Sequence, residues 1–252
     1  MLAVPKLAFH YSSLEKEGWE FDRCLAWAGR LDLHFIEVGP ELPRECRNAA
    51  AVRRLVDRHG IAFAAVEVGA ESCAPLPGSI CPDLEGTLRW AAEAGCAQIL
   101  LAGLGLDNSD RVYPQIAAAG ERWGIVISID LWGALLCRAE ELRQILEKIG
   151  SPWMRVSIDS GRVLSAGEDP LALVAAFERC LGHFRIRAGP QDSVGWPVMR
   201  SMVELLLDSG YEGRLGILDE SGRAQALEAR VEEIRQTLAL AISKSMPART
   251  LE

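Results

Sequence analysis

Short apolar runs alternate with longer amphipathic ones along this chain at a spacing of about thirty residues, and the alternation occurs eight times. The apolar runs are Lys6 to His10, His34 to Gly39, Ile61 to Val68, Gln98 to Ala102, Ile125 to Asp130, Met154 to Asp159, His183 to Arg187 and Arg214 to Leu218. Their length and their β-branched content predict strands, whereas 14–30, 43–58, 83–95, 109–123, 138–149, 170–181, 196–209 and 223–242 carry helical periodicity. Strands separated by a helix pair in parallel through crossovers, and eight such units close into a (β/α)8 TIM barrel, an α/β architecture of about 250 residues. A doubly wound open sheet competes with it, but would place a glycine-rich phosphate turn after the first strand, where this chain has His10-Tyr11-Ser12-Ser13. The expectation is one domain over 1–252, with a long loop from Ser72 to Pro82 and a frayed tail from Ser243 to Glu252.

In a barrel the chemistry belongs at the C-terminal strand tips. Those tips read His10, Glu37, Glu67, an uncharged fourth at Ala102, Asp130, Asp159 with Arg162, Arg185 with Arg187, and Asp219-Glu220. Alternation along a strand puts Ser128 with Asp130, Ser157 with Asp159, and His183 with Arg185 and Arg187 on inward faces, leaving Ile125, Ile127, Ile129, Val156 and Ile158 to pack on helices. Carboxylates and guanidiniums on neighbouring strands must interact, because such strands lie about 4.8 Å apart. Asp130 or Glu67 is a candidate base, with His10 or Glu220 as its complement. Glu37, Trp132, Arg162, Arg185 and Arg187 are candidates for holding a substrate, and His34, His59 and His183 read as structural. No serine or cysteine stands beside a histidine as a nucleophile. The loops at 188–193 and 221–223 could supply donors to an anion, or be ordinary turns with a helix cap at Ser221.

Charge narrows the partners. Thirty-five acidic residues against twenty-seven basic ones give a net charge of −8, which disfavours nucleic acid or an anionic membrane. The first residues lack the features of a signal peptide, and no apolar run is long enough to span a bilayer. Seven scattered cysteines without a CxxC pair read as reduced thiols, so the expected setting is cytoplasmic, the expected partner a small anionic or sugar-like molecule, and a homodimer is compatible.

Several segments together resemble the xylose isomerase-like TIM barrels, the sugar phosphate isomerase and epimerase superfamily. They are Gly124 to Gly133 followed by Ala139-Glu140-Glu141-Leu142, Val156 to Pro170, His183 to Arg187, and Gly210-Tyr211-Glu212-Gly213. The resemblance covers most of the chain and implies proton transfer next to a carbonyl, with a divalent cation held by Glu, Asp, His and Glu from strands five to eight. Matched position by position, the first of these is Asp130, the second is kept as Asp159, the histidine is Arg185, and the last glutamate is Leu218; a further histidine three residues after Asp159 is Arg162. An arginine is neither a ligand nor a base at accessible pH. The expectation is therefore no metal and no cofactor, with Arg162 and Arg185 pairing with Asp130 and Asp159 and supplying the cation's charge. Two alternatives stay open: a non-catalytic relative serving as a binding protein or partner subunit, and a metalloenzyme with a shifted set such as Glu67, Asp130, Asp159 and Glu220.

Overall fold

A computed structural model describes residues 6–39, 47–68, 82–107, 109–188 and 196–245. Eight strands, β1 (Lys6–His10), β2 (Phe35–Val38), β3 (Ala62–Val68), β4 (Gln98–Leu101), β5 (Val126–Asp130), β6 (Met154–Asp159), β7 (Leu181–Ala188) and β8 (Arg214–Asp219), pair in sequence order and close on themselves. Every pairing is parallel. This is the (β/α)8 barrel expected from the period. The outward faces of β5, β6 and β8, including Ile127, Ile129, Val156, Ile158, Leu215 and Ile217, are wholly buried in one continuous apolar core under the helices.

The helices are α1 (Ser12–Glu15), α2 (Phe21–Arg30), α3 (Ala49–Arg58), α4 (Pro82–Ala94), α5 (Ser109–Trp123), α6 (Ala139–Ile149), α7 (Ser160–Ser165), α8 (Pro170–Phe177), α9 (Trp196–Asp208) and α10 (Ala224–Ser245). Several differ from expectation for local reasons. The single helix expected over 14–30 is broken, because Gly18 takes a positive φ of 74° and Glu20 is extended. The helix expected over 43–58 is seen from Ala49, where the Asn48 side chain accepts from the Ala51 N–H at 2.9 Å. Residues 40–46 lie outside the described residues, as do 72–81 of the expected long loop, 189–193 of the seventh loop and 246–252 of the expected tail. Residues 243–245, expected to fray, continue α10. Leu181, expected to end a helix, begins β7. No described helix is long and apolar enough to cross a membrane.

Two irregularities matter for the site. The β2–β3 register shifts between Ile36 and Glu37, and the β6–β7 register shifts between Val156 and Ser157. The skipped residues are Ala64 in β3 and Gly182 in β7, so the offsets precede Glu67 on one strand and His183 and Arg185 on the other.

Candidate active site

The inward side chains form layers. Lowest of those that matter here, the Gln98 amide donates to Ser128 Oγ at 2.8 Å and to the Gly182 carbonyl at 3.0 Å. Above it, His183 joins Ser157 Oγ through Nδ1 at 3.1 Å and Glu37 Oε1 through Nε2 at 2.6 Å, across the lumen from β7 to β2. Glu37 and His183 are both fully buried. The chain makes room for this pair with Gly216, where a Cβ would stand only 2.1 Å from Glu37 Oε1.

Arg185 occupies the next layer. Its Nε donates to Glu37 Oε2 at 2.9 Å and its Nη1 to Glu67 Oε2 at 3.0 Å, with Asp159 Oδ2 at 3.5 Å. Asp159 is engaged mainly elsewhere. It accepts from Arg187 Nε at 2.9 Å and Arg187 Nη2 at 2.7 Å, and its Oδ1 caps α7 by accepting from the Gly161 and Arg162 N–H groups. Gly161 is required there, since a Cβ would meet Arg187 Cδ at 2.3 Å. The expected pairing of Arg162 with Asp130 is present, and Arg162 also donates to Glu67 Oε1 at 3.1 Å. The expected pairing of Arg185 with Asp159 is also present, at 3.5 Å, beside the shorter bonds of Arg185 to Glu37 and Glu67. Arg187 makes the closer, bidentate pair with Asp159 and also binds Glu220.

At the rim, Arg162 Cζ stands 5.3 Å from the centre of the Trp132 ring, which is 44% exposed. Asp219 serves the turn after β8, accepting from the Ser221 N–H at 2.8 Å, and Ser221 Oγ accepts from Arg223 N–H at 3.3 Å. Of the two readings of residues 221–223, the hydrogen bonds are those of an ordinary turn. His34 and His59, as expected, serve surface pairs with Asp32 and Asp22.

The electrostatics follow from burial and partners. Burial pushes Asp130 up to about 6, against the pull of Arg162 and with help from Glu67. Burial would also raise Glu37, Glu67 and Asp159, but His183 and Arg185 for the first, Arg185 and Arg162 for the second, and Arg187 and Arg185 for the third hold them below their ordinary range. His10 is pushed down to about 4 by burial and by the Arg185 guanidinium, so the ring is neutral at pH 7.

These donors do not fit the divalent cation that the resemblance implies. Arg185 and buried Leu218 stand where two ligands would be, and Glu67, Asp130, Asp159 and Glu220 each face a guanidinium. Among the described residues no group of three or more His, Cys, Asp or Glu side chains is disposed to hold a metal ion. A groove of about 660 Å³ between α5 and α6, lined by Asp110, Glu121, Glu141 and Lys148 among others, lies on the outer helical layer away from this ring.

No family model matches the sequence, and no curated protein matches it. Solved structures do match. L-ribulose 3-epimerase superposes with a TM-score of 0.75 at 15% identity, over 99% of this chain and 100% of that one. The chain shares the closed (β/α)8 barrel fold of that structure. D-allulose 3-epimerase from Methylomonas sp. gives 0.72 at 15% identity, covering 93% of this chain and 98% of that one. A 3-keto-D-glucoside 4-epimerase from E. coli gives 0.70 at 13% identity, over 92% and 99%.

The strand tips read from the sequence bring Glu37, Glu67, Asp130, Asp159, Arg162, Arg185 and Arg187 into one ion-paired ring, with His10 beside Glu37 and with Glu220 and Trp132 at its rim. They did not place His183 beneath that ring as the support of Glu37. A signal was present: Gly216 in the middle of an apolar strand marks a close approach from across the barrel.

Proposed function

We propose that this barrel binds a small neutral polyhydroxylated ketone at its charged mouth and moves a proton next to the carbonyl, as an epimerase or isomerase that works without a divalent metal. One observation carries the reading. Asp130, inward at the tip of β5 beneath Arg162 and the exposed Trp132, is a carboxylate poised to exchange a proton near neutral pH. The solved neighbours named above as sugar 3- and 4-epimerases support the substrate class.

Charge balance argues for a neutral substrate over an anion. Glu37, Glu67, Asp130, Asp159 and Glu220 oppose Arg162, Arg185 and Arg187, five carboxylates to three guanidiniums among the described residues. A phosphate would add negative charge to a ring already in carboxylate excess, whereas hydroxyls can share these groups as donors and acceptors. In the proposed step the C–H bond beside the carbonyl breaks, its proton passes to Asp130, and its electron pair forms the enolate. Returning the proton restores the ketone. Asp130 gives back the proton it took; inversion at the carbon instead uses a second proton delivered from solvent at the opposite face, while Asp130 releases its own to solvent.

The test is exchange with solvent. Ketopentoses and ketohexoses are incubated with the protein in D2O, and deuterium at the carbon next to the carbonyl is followed by NMR. Incorporation that disappears in Asp130→Asn is expected. No incorporation from any ketose would favour the non-catalytic alternative, a binding protein whose carboxylates only hold its arginines.

A further inference from the structure

Among the buried side-chain nitrogens and oxygens of the described residues, two have no hydrogen-bond partner: His10 Nε2 and Arg185 Nη2. Both belong to side chains more than nine-tenths buried, 4% exposed for His10 and 2% for Arg185. Leaving a buried donor unpaired forfeits its solvation without return, so two of them in one ring require an explanation.

Their directions are constrained by what their other atoms do. Arg185 spends Nε on Glu37 and Nη1 on Glu67, which leaves Nη2 as the free arm of the fork. His10 stands beside Glu37, its register partner across β1 and β2. The two side chains therefore flank the same carboxylate. Ser12 Oγ lies 2.7 Å from His10 Nδ1 and the Ser12 N–H points at the same nitrogen from 3.2 Å; with Nδ1 accepting from that N–H and from the hydroxyl, the proton of the neutral ring sits on Nε2. Gly39, just past β2, puts no side chain over that nitrogen; a Cβ there would lie 3.9 Å from Nε2. Two N–H donors, one of them cationic, are thus left at the level of the ring where the carboxylates are otherwise paired.

We propose that His10 Nε2–H and Arg185 Nη2–H together bind one oxygen of the ligand, the carbonyl oxygen that gains charge as the neighbouring carbon loses its proton. This rests on the proton-transfer reading above for the identity of that oxygen. The pair polarises the carbonyl by hydrogen bonding. Arg162, with Asp130 and Glu67 as its partners, is not part of this donor pair, which distinguishes the arrangement from an Arg162–Arg185 clamp.

The probe is hydroxyacetone carrying ¹³C at its carbonyl, added to the full chain labelled with ¹⁵N-histidine. In the free protein the His10 Nε2–H cross-peak, assigned by its absence from His10→Leu, is expected in the neutral-ring range. On adding the probe this peak should move downfield, and the ¹³C carbonyl stretch should drop in frequency. The drop should shrink in Arg185→Lys, which keeps the charge and loses the fork. A His10 peak and carbonyl band that stay where they are, whether the probe binds elsewhere or not at all, overturn the donor pair, and the wild-type measurement does so without relying on either variant to fold. Spectral shifts without deuterium exchange from any ketose would leave the donor pair standing and sink the proton-transfer reading. Exchange without spectral shifts would do the reverse.

Discussion

Arg185 Nε lies 2.9 Å from Glu37 Oε2, joining β7 to β2 across the lumen of the barrel, and the rest of the charged ring is arranged around that contact. Glu37 is held from its other oxygen by His183, and Arg185 from its Nη1 by Glu67. Removing one member of a buried ion pair leaves a charge without compensation, at about 3–5 kcal/mol. Arg185→Met should therefore lower stability by about that amount in urea denaturation at pH 7, with the deficit shrinking as the pH falls, because burial then favours protonated Glu37, Glu67 and Asp159 in the variant. A variant as stable as the parent at pH 7 would mean these carboxylates do not depend on Arg185.

Gly216 tests the same layer from the backbone. Alanine there would place a Cβ 2.1 Å from Glu37 Oε1 and 2.7 Å from its Cδ. The carboxylate cannot retreat without giving up His183 or Arg185, so Gly216→Ala should cost on the order of 3 kcal/mol. Gly86, exposed inside α4 with nothing within 4 Å of an added Cβ, is the control. Gly86→Ala should raise stability by about 0.5–1 kcal/mol. Equal effects of the two substitutions on thermal unfolding would contradict this packing.

The pH dependence of stability separates two opposed groups. Asp130 titrates at an ordinary 3.8 unfolded and at about 6 folded, so the folded chain holds more protons between those values and this contribution falls as pH rises through them, by on the order of 3 kcal/mol in all. His10 titrates at 6.5 unfolded and about 4 folded, so its contribution rises with pH over that window. Above about 4.5, Glu37, Glu67 and Asp159 are ionised in both states and add little slope. Asp130→Asn should consequently gain stability with pH more steeply than the parent between about 4.5 and 6.5. Parallel curves for the two proteins would remove the elevated carboxyl from the account.

The same carboxyl should shape activity. If Asp130 is the base, kcat/KM for solvent exchange rises as pH passes through about 6. Arg162 pulls that value down, so Arg162→Gln should move the acidic limb to higher pH. A limb that does not move in Arg162→Gln would assign it to another group.

How much of this was legible in the sequence differs between the fold and the site. The barrel followed from the spacing of apolar runs, and the ring followed from strand tips, because alternation and parallel pairing are local rules. The supports of the ring cross the lumen, and local rules do not reach that far. His183 was read as structural on the inward face it shares with Arg185 and Arg187, and its bond to Glu37 appears only once β2 and β7 face each other. Asp159 was read as a site residue alone, whereas it is also the N-cap of α7, a helix that starts at the residue after the strand and leaves no loop to announce it. Arg185 keeps the expected contact with Asp159, its register partner on β6, but its shorter bonds cross the lumen to Glu37 and Glu67, and Arg187 makes the bidentate pair with Asp159.

The central claim is that guanidiniums stand where a divalent cation would be needed, and metal content tests it most directly. The protein is purified without chelator or added metal, analysed for Mn, Mg, Zn, Fe and Co, and unfolded thermally with EDTA and with each of Mn²⁺, Mg²⁺ and Zn²⁺ added. Far less than one equivalent of any metal is expected, with a Tm that none of these additions moves. About one bound equivalent, with a Tm that falls in EDTA and recovers with one ion, would contradict it, because a ligand bound only by the folded state raises stability in this way.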